Sequence, residues 1–178
     1  MKKLSILICS LKSRETLLMN LARILKMQGD SRVEILSIID NGEISIGEKR
    51  NKLLNSSKGE YVCFLDDDDM ISPFYTSNIL KALENTPDCV GFKGIITQKN
   101  VQPKVFIHSV KYDSWYEEND IYYRCPNHLN PIKREIAISV GFPDLYYHED
   151  RDFSMRTRGL LKTEEFIEDP IYFYYPST

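Results

Sequence analysis

No stretch of the 178-residue chain approaches the roughly 20 consecutive apolar residues that a membrane-spanning helix needs, so peripheral contact with a membrane is the most that is expected. Positive charge is not concentrated either. The 23 Lys and Arg are dispersed among 26 Asp and Glu, which excludes the electrostatic footprint of a nucleic-acid binder. Cysteine is scarce: Cys9, Cys63, Cys89 and Cys125 lack the spacing of a metal site, and Cys9 and Cys63 fall in apolar runs, the pattern of reduced core thiols in a cytoplasmic protein. Glycine is missing from residues 10–14, after the first apolar run, where a nucleotidyltransferase would need a glycine-rich, basic triphosphate loop. Internal repeats and low-complexity linkers are also lacking, so a single domain is expected over residues 1–178.

What is present is alternation. Residues 4–9 predict a short apolar strand, and their stop at Ser10 without a small-residue cleavage site argues against a signal peptide. Leu17, Leu18, Leu21, Ile24 and Leu25 then recur at helical spacing over residues 14–27, before Gly29-Asp30. Residues 33–39 predict a second strand, closed by Asp40-Asn41-Gly42. Ser45-Ile46-Gly47-Glu48 has the form of a capping box, opening a helix through Leu53 and Leu54 with Gly59 as its stop. Residues 61–65 predict a third strand. This βαβαβ order implies a parallel, Rossmann-like half whose ligand crevice lies outside the carboxyl ends of the strands.

Further along, Ser72-Pro73 reads as the start of a helix that Thr86-Pro87 ends, followed by strands at 89–97 and 104–110. Residues 112–120 predict a mobile loop over the site. Helices are predicted at 130–140 and 149–158, with extended segments at 166–167 and 171–175.

The densest chemical signal is Asp66-Asp67-Asp68-Asp69, directly after the third strand. Adjacent carboxylates repel and raise one another's pKa unless they are solvated or neutralised, for example by a divalent metal. A solvated acidic turn is the competing reading. If strand alternation continues through the run, Asp66 and Asp68 share a face while Asp67 points elsewhere. An EF-hand is excluded because Ile71 and Ser77 stand where its Gly and Glu are required. A haloacid-dehalogenase-type phosphatase needs Thr or Val after its Asp-x-Asp, where this chain has Asp69-Met70.

In order, Leu4-Ser5-Ile6-Leu7-Ile8-Cys9-Ser10, Asp40-Asn41-Gly42, Gly47-Glu48-Lys49-Arg50-Asn51, Gly59-Glu60-Tyr61 with the strand and its Asp run, and His148-Glu149-Asp150-Arg151-Asp152-Phe153 resemble the signature of family 2 glycosyltransferases with the GT-A fold. The resemblance departs at Cys9, where the family often has Pro, and at Leu11, where it often has an aromatic. It implies an α/β fold with a mixed central sheet, residues 1–69 forming a nucleotide-sugar-binding half and residues 70–178 a smaller acceptor-side half. It also implies metal-dependent, inverting transfer of a sugar from a nucleoside diphosphate donor, UDP-linked, to a hydroxyl on a glycan, lipid-linked or other acceptor. A degenerate nucleotide-sugar-binding subunit and a metal-dependent nucleotidyltransferase are the alternatives.

By that resemblance, Asp68 is the direct ligand of Mn2+ or Mg2+, Asp66 lies beside it through water or the ribose, and Asp67 touches the nucleoside. Asp69 either supports a metal ligand or caps the next helix. Ser10, Asp40 and Arg50 are assigned to the donor, against the plainer readings of a polar loop residue, an Asx-turn and an ion pair with a nearby Glu. Asp150 is the general base, with helix capping as its rival, and Glu149 faces the acceptor. Trp115 is the aromatic candidate for a sugar wall on the acceptor side. The short chain is expected to use a small acceptor or to need a second chain to complete that site.

Overall fold

Period-two alternation along the central strands decides which helices cover which face of the sheet. A computed structural model describes residues 2–97 and 101–175. The chain runs β1 (Leu4–Leu11), α1 (Glu15–Met27), β2 (Val33–Asp40), α2 (Ile46–Ser56), β3 (Tyr61–Asp66), β4 (Met70–Ile71), α3 (Tyr75–Ala82), β5 (Cys89–Ile96) and β6 (Lys104–His108). It continues through β7 (Tyr116–Glu118), β8 (Ile121–Arg124), β9 (Ile132–Lys133), α4 (Arg134–Val140), α5 (Glu149–Thr157) and β10 (Glu164–Tyr174). Leu4, Ile6 and Ile8 of β1 and Tyr61, Cys63 and Leu65 of β3 join one core, with Leu18, Leu21 and Leu25 of α1 and with Tyr75, Ile79 and Leu80 of α3. Leu7, Val62 and Phe64 join the other, with Leu53 and Leu54 of α2, Ala137 of α4 and Phe153 of α5. The result is a sheet between two helical layers.

The strand order is β2-β1-β3-β9-β5-β6-β8-β7, with β10 pairing β5 and β4. β1 is parallel to both β2 and β3, so the chain order reverses at β1 and a crevice forms outside the carboxyl ends of β1 and β3. β9 runs antiparallel to β3 and β5, and β6 antiparallel to β5, which makes the sheet mixed.

Several predicted elements differ. Residues 131–133 do not begin a helix, because neighbouring strands take their backbone: Val90 N–H donates to the Pro131 carbonyl, and Lys133 N–H to the Asp88 carbonyl at 2.9 Å. The 112–120 segment is partly a hairpin at the sheet edge, where β7 pairs β8 across a two-residue turn with φ of 51° at Asn119 and 61° at Asp120. The last two extended segments are one strand, β10, interrupted by a register shift between Ile167 and Tyr172. α2 ends at Ser56 rather than Gly59. Gly59 instead allows a close crossing, since a Cβ there would lie 2.6 Å from the backbone nitrogen of Ser5.

Candidate active site

β3 ends at Asp66, and the Asp69 N–H donates to the Asp66 carbonyl at 3.2 Å, closing a turn through Asp67 and Asp68. Strand alternation stops there, so the expected pairing of Asp66 with Asp68 gives way to a three-way division. Asp66 sits between Arg50 Nη2 and His128 Nε2, each 3.4 Å away. Burial alone would raise its pKa, but the His128 imidazole and the Arg50 guanidinium beside it hold it well below the ordinary carboxylate range. Asp67 and Asp68 both face Arg14, whose Nη2 lies 2.5 Å from an oxygen of each. The Ser10 hydroxyl also donates to Asp67 at 2.5 Å, and burial pushes the Asp67 pKa up.

Asp69 turns underneath, accepting from the Tyr172 hydroxyl at 2.5 Å and the Tyr175 N–H at 2.9 Å. Burial and the Asp66 charge push its pKa up to about 8. It therefore ties the end of β10 to the acidic turn. It does not cap α3, which starts later because Ser72 Oγ accepts from Phe74 N–H.

Arg50 is only 4 % exposed. Its guanidinium lies 5.0 Å from the Phe64 ring and 5.7 Å from the Phe142 ring, and its Nε donates to Glu149 at 3.1 Å. The ion pair weighed for Arg50 is thus present in the interior, and its partner is Glu149, itself buried beneath the start of α5. Asp40 accepts from the Ile44 N–H at 3.1 Å and pairs with the Lys49 ammonium, which also donates to the Ser10 carbonyl at 3.2 Å. Burial acts to raise Asp40, but Lys49 and the turn N–H groups bring it below its ordinary value.

Two cavities flank the acidic turn. The larger, about 470 Å³, is bordered by Ser10, Leu11, Arg14, Lys49, Asp67 and the outer pair Tyr146 and Tyr147. These tyrosines are 58 % and 80 % exposed, a large aromatic surface left uncovered beside a charged pocket. The smaller cavity, about 120 Å³, is bordered by Asp66, His108, Arg124, Asn127, His128 and Asp150. Asp66 and Asp150, far apart in sequence, both line it.

The walls of the smaller cavity carry polar atoms with unmet capacity. Asn130 donates through Nδ2 to the Val90 carbonyl, so its Oδ1 accepts from His108 Nδ1–H at 3.0 Å, and burial keeps that imidazole neutral. His108 Nε2 is then a bare acceptor. Asn127 uses Oδ1 to accept from Leu129 N–H at 3.0 Å, leaving its Nδ2 as a donor. Neither atom, nor His128 Nδ1, has a protein partner among the described residues. Trp115 stands behind this wall: its Nε1 donates to Ser154 Oγ at 3.1 Å, and Arg124 lies 4.6 Å over its ring. His148 is exposed at the start of α5 with φ of 67°.

Among the described residues, no three His, Cys, Asp or Glu side chains group as a ready metal cage. Mg2+ and Mn2+ do not require one, since one or two carboxylates completed by substrate phosphates and water suffice. Asp68, half-buried and with Arg14 as its side-chain partner among the described residues, fits that role beside its neighbouring carboxylates. The cysteines are free, and burial pushes the Cys9 and Cys63 thiols up to about 12, so neither is poised as a nucleophile.

Sequence reasoning missed Arg14 and Lys49 as partners of the acidic residues, and His108, Asn127 and Arg124 as cavity walls. Arg14 had one available signal: with Lys12, it is one of two cations in the loop after β1. The other residues are brought in by long-range pairing and carry no local pattern.

The family model for glycosyl transferase family 2 matches residues 45–143, more than half of the chain. The chain belongs to glycosyl transferase family 2. A relative in that direction is EpsH of Bacillus subtilis (strain 168), named as a glycosyltransferase, 26 % identical over an alignment 168 residues long that covers 82 % of this chain and 45 % of EpsH. The fold is also that of TarS from S. aureus: residues 1–349 in complex with UDP superpose with a TM-score of 0.74 at 17 % identity, over 99 % of this chain and 61 % of that one. The mannosyltransferase PcManGT from Pyrobaculum calidifontis, in complex with GDP-Man and Mn2+, gives a TM-score of 0.63 at 11 % identity, over 97 % of this chain and 56 % of that one. The chain therefore has the GT-A fold of the family and spans less than two thirds of each of these proteins. No helix among its described residues is long and apolar enough to cross a membrane.

Proposed function

We propose that this chain transfers a sugar from a nucleoside diphosphate donor, UDP-linked, to an acceptor hydroxyl with inversion at the anomeric carbon. The observation that carries the reading is that Asp66 and Asp150 line one cavity while the same acidic turn borders the larger pocket with Ser10, Arg14 and Lys49. One carboxylate turn thus adjoins both a cationic, aromatic-rimmed pocket suited to a nucleoside diphosphate and a hydroxyl-matching cavity suited to a sugar. Asp150 takes the proton of the acceptor hydroxyl as that oxygen attacks the anomeric carbon. Glu149, the residue before it, pairs with the buried Arg50 and so sets where α5 presents Asp150. Arg50 acts on the donor side through Asp66, whose carboxylate it keeps charged. Asp68, with Asp66 or Asp67, would hold Mn2+ or Mg2+ when the donor binds, and the ion supplies charge compensation for the departing diphosphate. We read residues 1–178 as one catalytic unit in which residues 1–69 serve the donor and residues 70–178 the acceptor.

A thermal-shift screen of nucleoside diphosphates and nucleotide sugars with and without Mn2+ tests this reading. UDP compounds should stabilise the chain selectively and more strongly with metal. At a concentration 100-fold above Kd the stabilisation amounts to about 2.7 kcal/mol. Equal responses to all nucleotides and no effect of metal would overturn it. Tight binding with no transfer to any hydroxyl acceptor would instead identify a nucleotide-sugar-binding subunit.

A further inference from the structure

Arg14 occupies the space between two carboxylates that the proposed function assigns to a metal-bound donor. It lies at the end of a short 3-10 turn (Lys12–Arg14) after β1, and its side chain is 33 % exposed on the wall of the 470 Å³ pocket. One nitrogen, Nη2, is 2.5 Å from both Asp67 Oδ1 and Asp68 Oδ2. That same nitrogen is buried without a hydrogen bond of acceptable geometry. The contact is therefore electrostatic and non-directional, the kind of attraction a spherical cation provides equally well. The other acidic members of the turn already have partners: Asp66 has Arg50 and His128, and Asp69 has Tyr172.

We propose that Arg14 is the resting counter-cation of the Asp67–Asp68 pair and that a divalent ion must displace it. The inference rests on the donor-binding reading above. Two positive charges cannot share a space 2.5 Å from the same oxygens without strong repulsion, so a free ion meets an already neutralised site and binds weakly. A nucleoside diphosphate changes the balance. Its phosphates bring negative charge into the pocket that Arg14 borders, give the guanidinium a bidentate alternative to the aspartates, and leave Asp67 and Asp68 free for the ion. Arg14 thereby couples the two ligands: metal and diphosphate enter together, and each raises the affinity of the other. It is a positioning residue, acting on the metal through the carboxylates it releases.

The test is a titration of the intact chain with Mn2+ alone, read by electron paramagnetic resonance of the free ion, for wild type and Arg14→Gln. Arg14→Gln should bind Mn2+ alone about tenfold more tightly, within the usual range of site-to-site coupling. In calorimetry the variant should also lose most of the enhancement that UDP confers on Mn2+ binding. Tighter binding is not a result that structural damage produces. If Arg14→Gln does not fold, Arg14→Met, which keeps the apolar stem and removes the charge, should bind Mn2+ about tenfold more tightly than wild type. Unchanged Mn2+ affinity in the folded variants, with wild type still binding UDP and Mn2+ together, would overturn the role of Arg14 and leave the proposed function standing. A wild type that binds neither UDP nor UDP with Mn2+ would overturn both.

Discussion

The two cavities beside the acidic turn are built by different routes. Apart from Tyr146 and Tyr147 at its rim, the larger is lined by the end of β1, the loop and first turn of α2 and the turn after β3, elements joined by a parallel βαβαβ run in which each is close in sequence to the next. The smaller is closed by β6, β8, the 125–130 segment and the start of α5, all of which come from the later part of the chain. The first is open and charged, with Arg14 and Lys49 already paired to aspartates. The second is confined and leaves His108, Asn127 and His128 with unmet hydrogen-bonding atoms. A pocket made from one local motif advertises itself in sequence; a pocket made from distant strands does not. The same contrast divides the proposed work, with donor affinity on one side and the chemical step on the other.

The strongest way to break that division is Asp150→Asn. Transfer should fall by roughly 10²- to 10⁴-fold while UDP-sugar affinity stays near wild type. The product's anomeric configuration, read by NMR, should be inverted. Asp150 lies in the first turn of α5, after the His148 N-cap, so near-normal turnover in Asp150→Asn would reduce it to a first-turn acid that favours the helix dipole and empty the smaller cavity of its chemical role.

Arg50 joins the two sides, and its removal should be felt first as instability. Arg50→Ala leaves Glu149 buried without its cation, which costs about 3–5 kcal/mol when one member of a buried pair is lost. Chemical denaturation should register this as a lower midpoint with an unchanged slope. Full stability together with weakened UDP binding would move Arg50 from the scaffold to the donor pocket.

Lys49→Met probes the larger pocket more gently. Asp40 loses its ammonium partner and keeps the Ile44 N–H, so stability should fall by about 1–3 kcal/mol, with UDP affinity falling and the rate at saturating donor preserved. A change in that rate with no change in affinity would contradict the division between the cavities.

The smallest effect on transfer is expected at Asp69, whose contribution shows instead in the pH dependence of Tm. Its carboxyl is raised from 3.8 to about 8 in the folded protein, so the native state binds this proton more tightly than the unfolded chain does. The associated stability is complete below pH 3.8 and is lost as pH rises towards 8. Asp69→Asn, which can hold Tyr172 and the β10 end without ionising, should flatten that part of the profile. An unchanged profile would assign the slope to other groups.

The sequence by itself determined the parallel βαβαβ start, because apolar period, capping-box chemistry and turn residues are local properties of β1 to β3. Ser45 Oγ accepts from Glu48 N–H at 3.0 Å as that pattern requires. It also placed the acidic run at a strand end, since an apolar strand followed by four carboxylates has few other places to go. Where each carboxylate points was decided only by tertiary structure. The turn that begins at Asp66 cancels strand alternation, and Arg14, His128 and Tyr172 then sort Asp66 to Asp69 by contact. The hairpin at residues 116–124 and the conversion of residues 132–133 from helix to strand were likewise decided by pairing partners. Hydrogen bonds between distant strands override local propensity, because a buried backbone group left unpaired costs more than a residue's intrinsic preference for helix or strand.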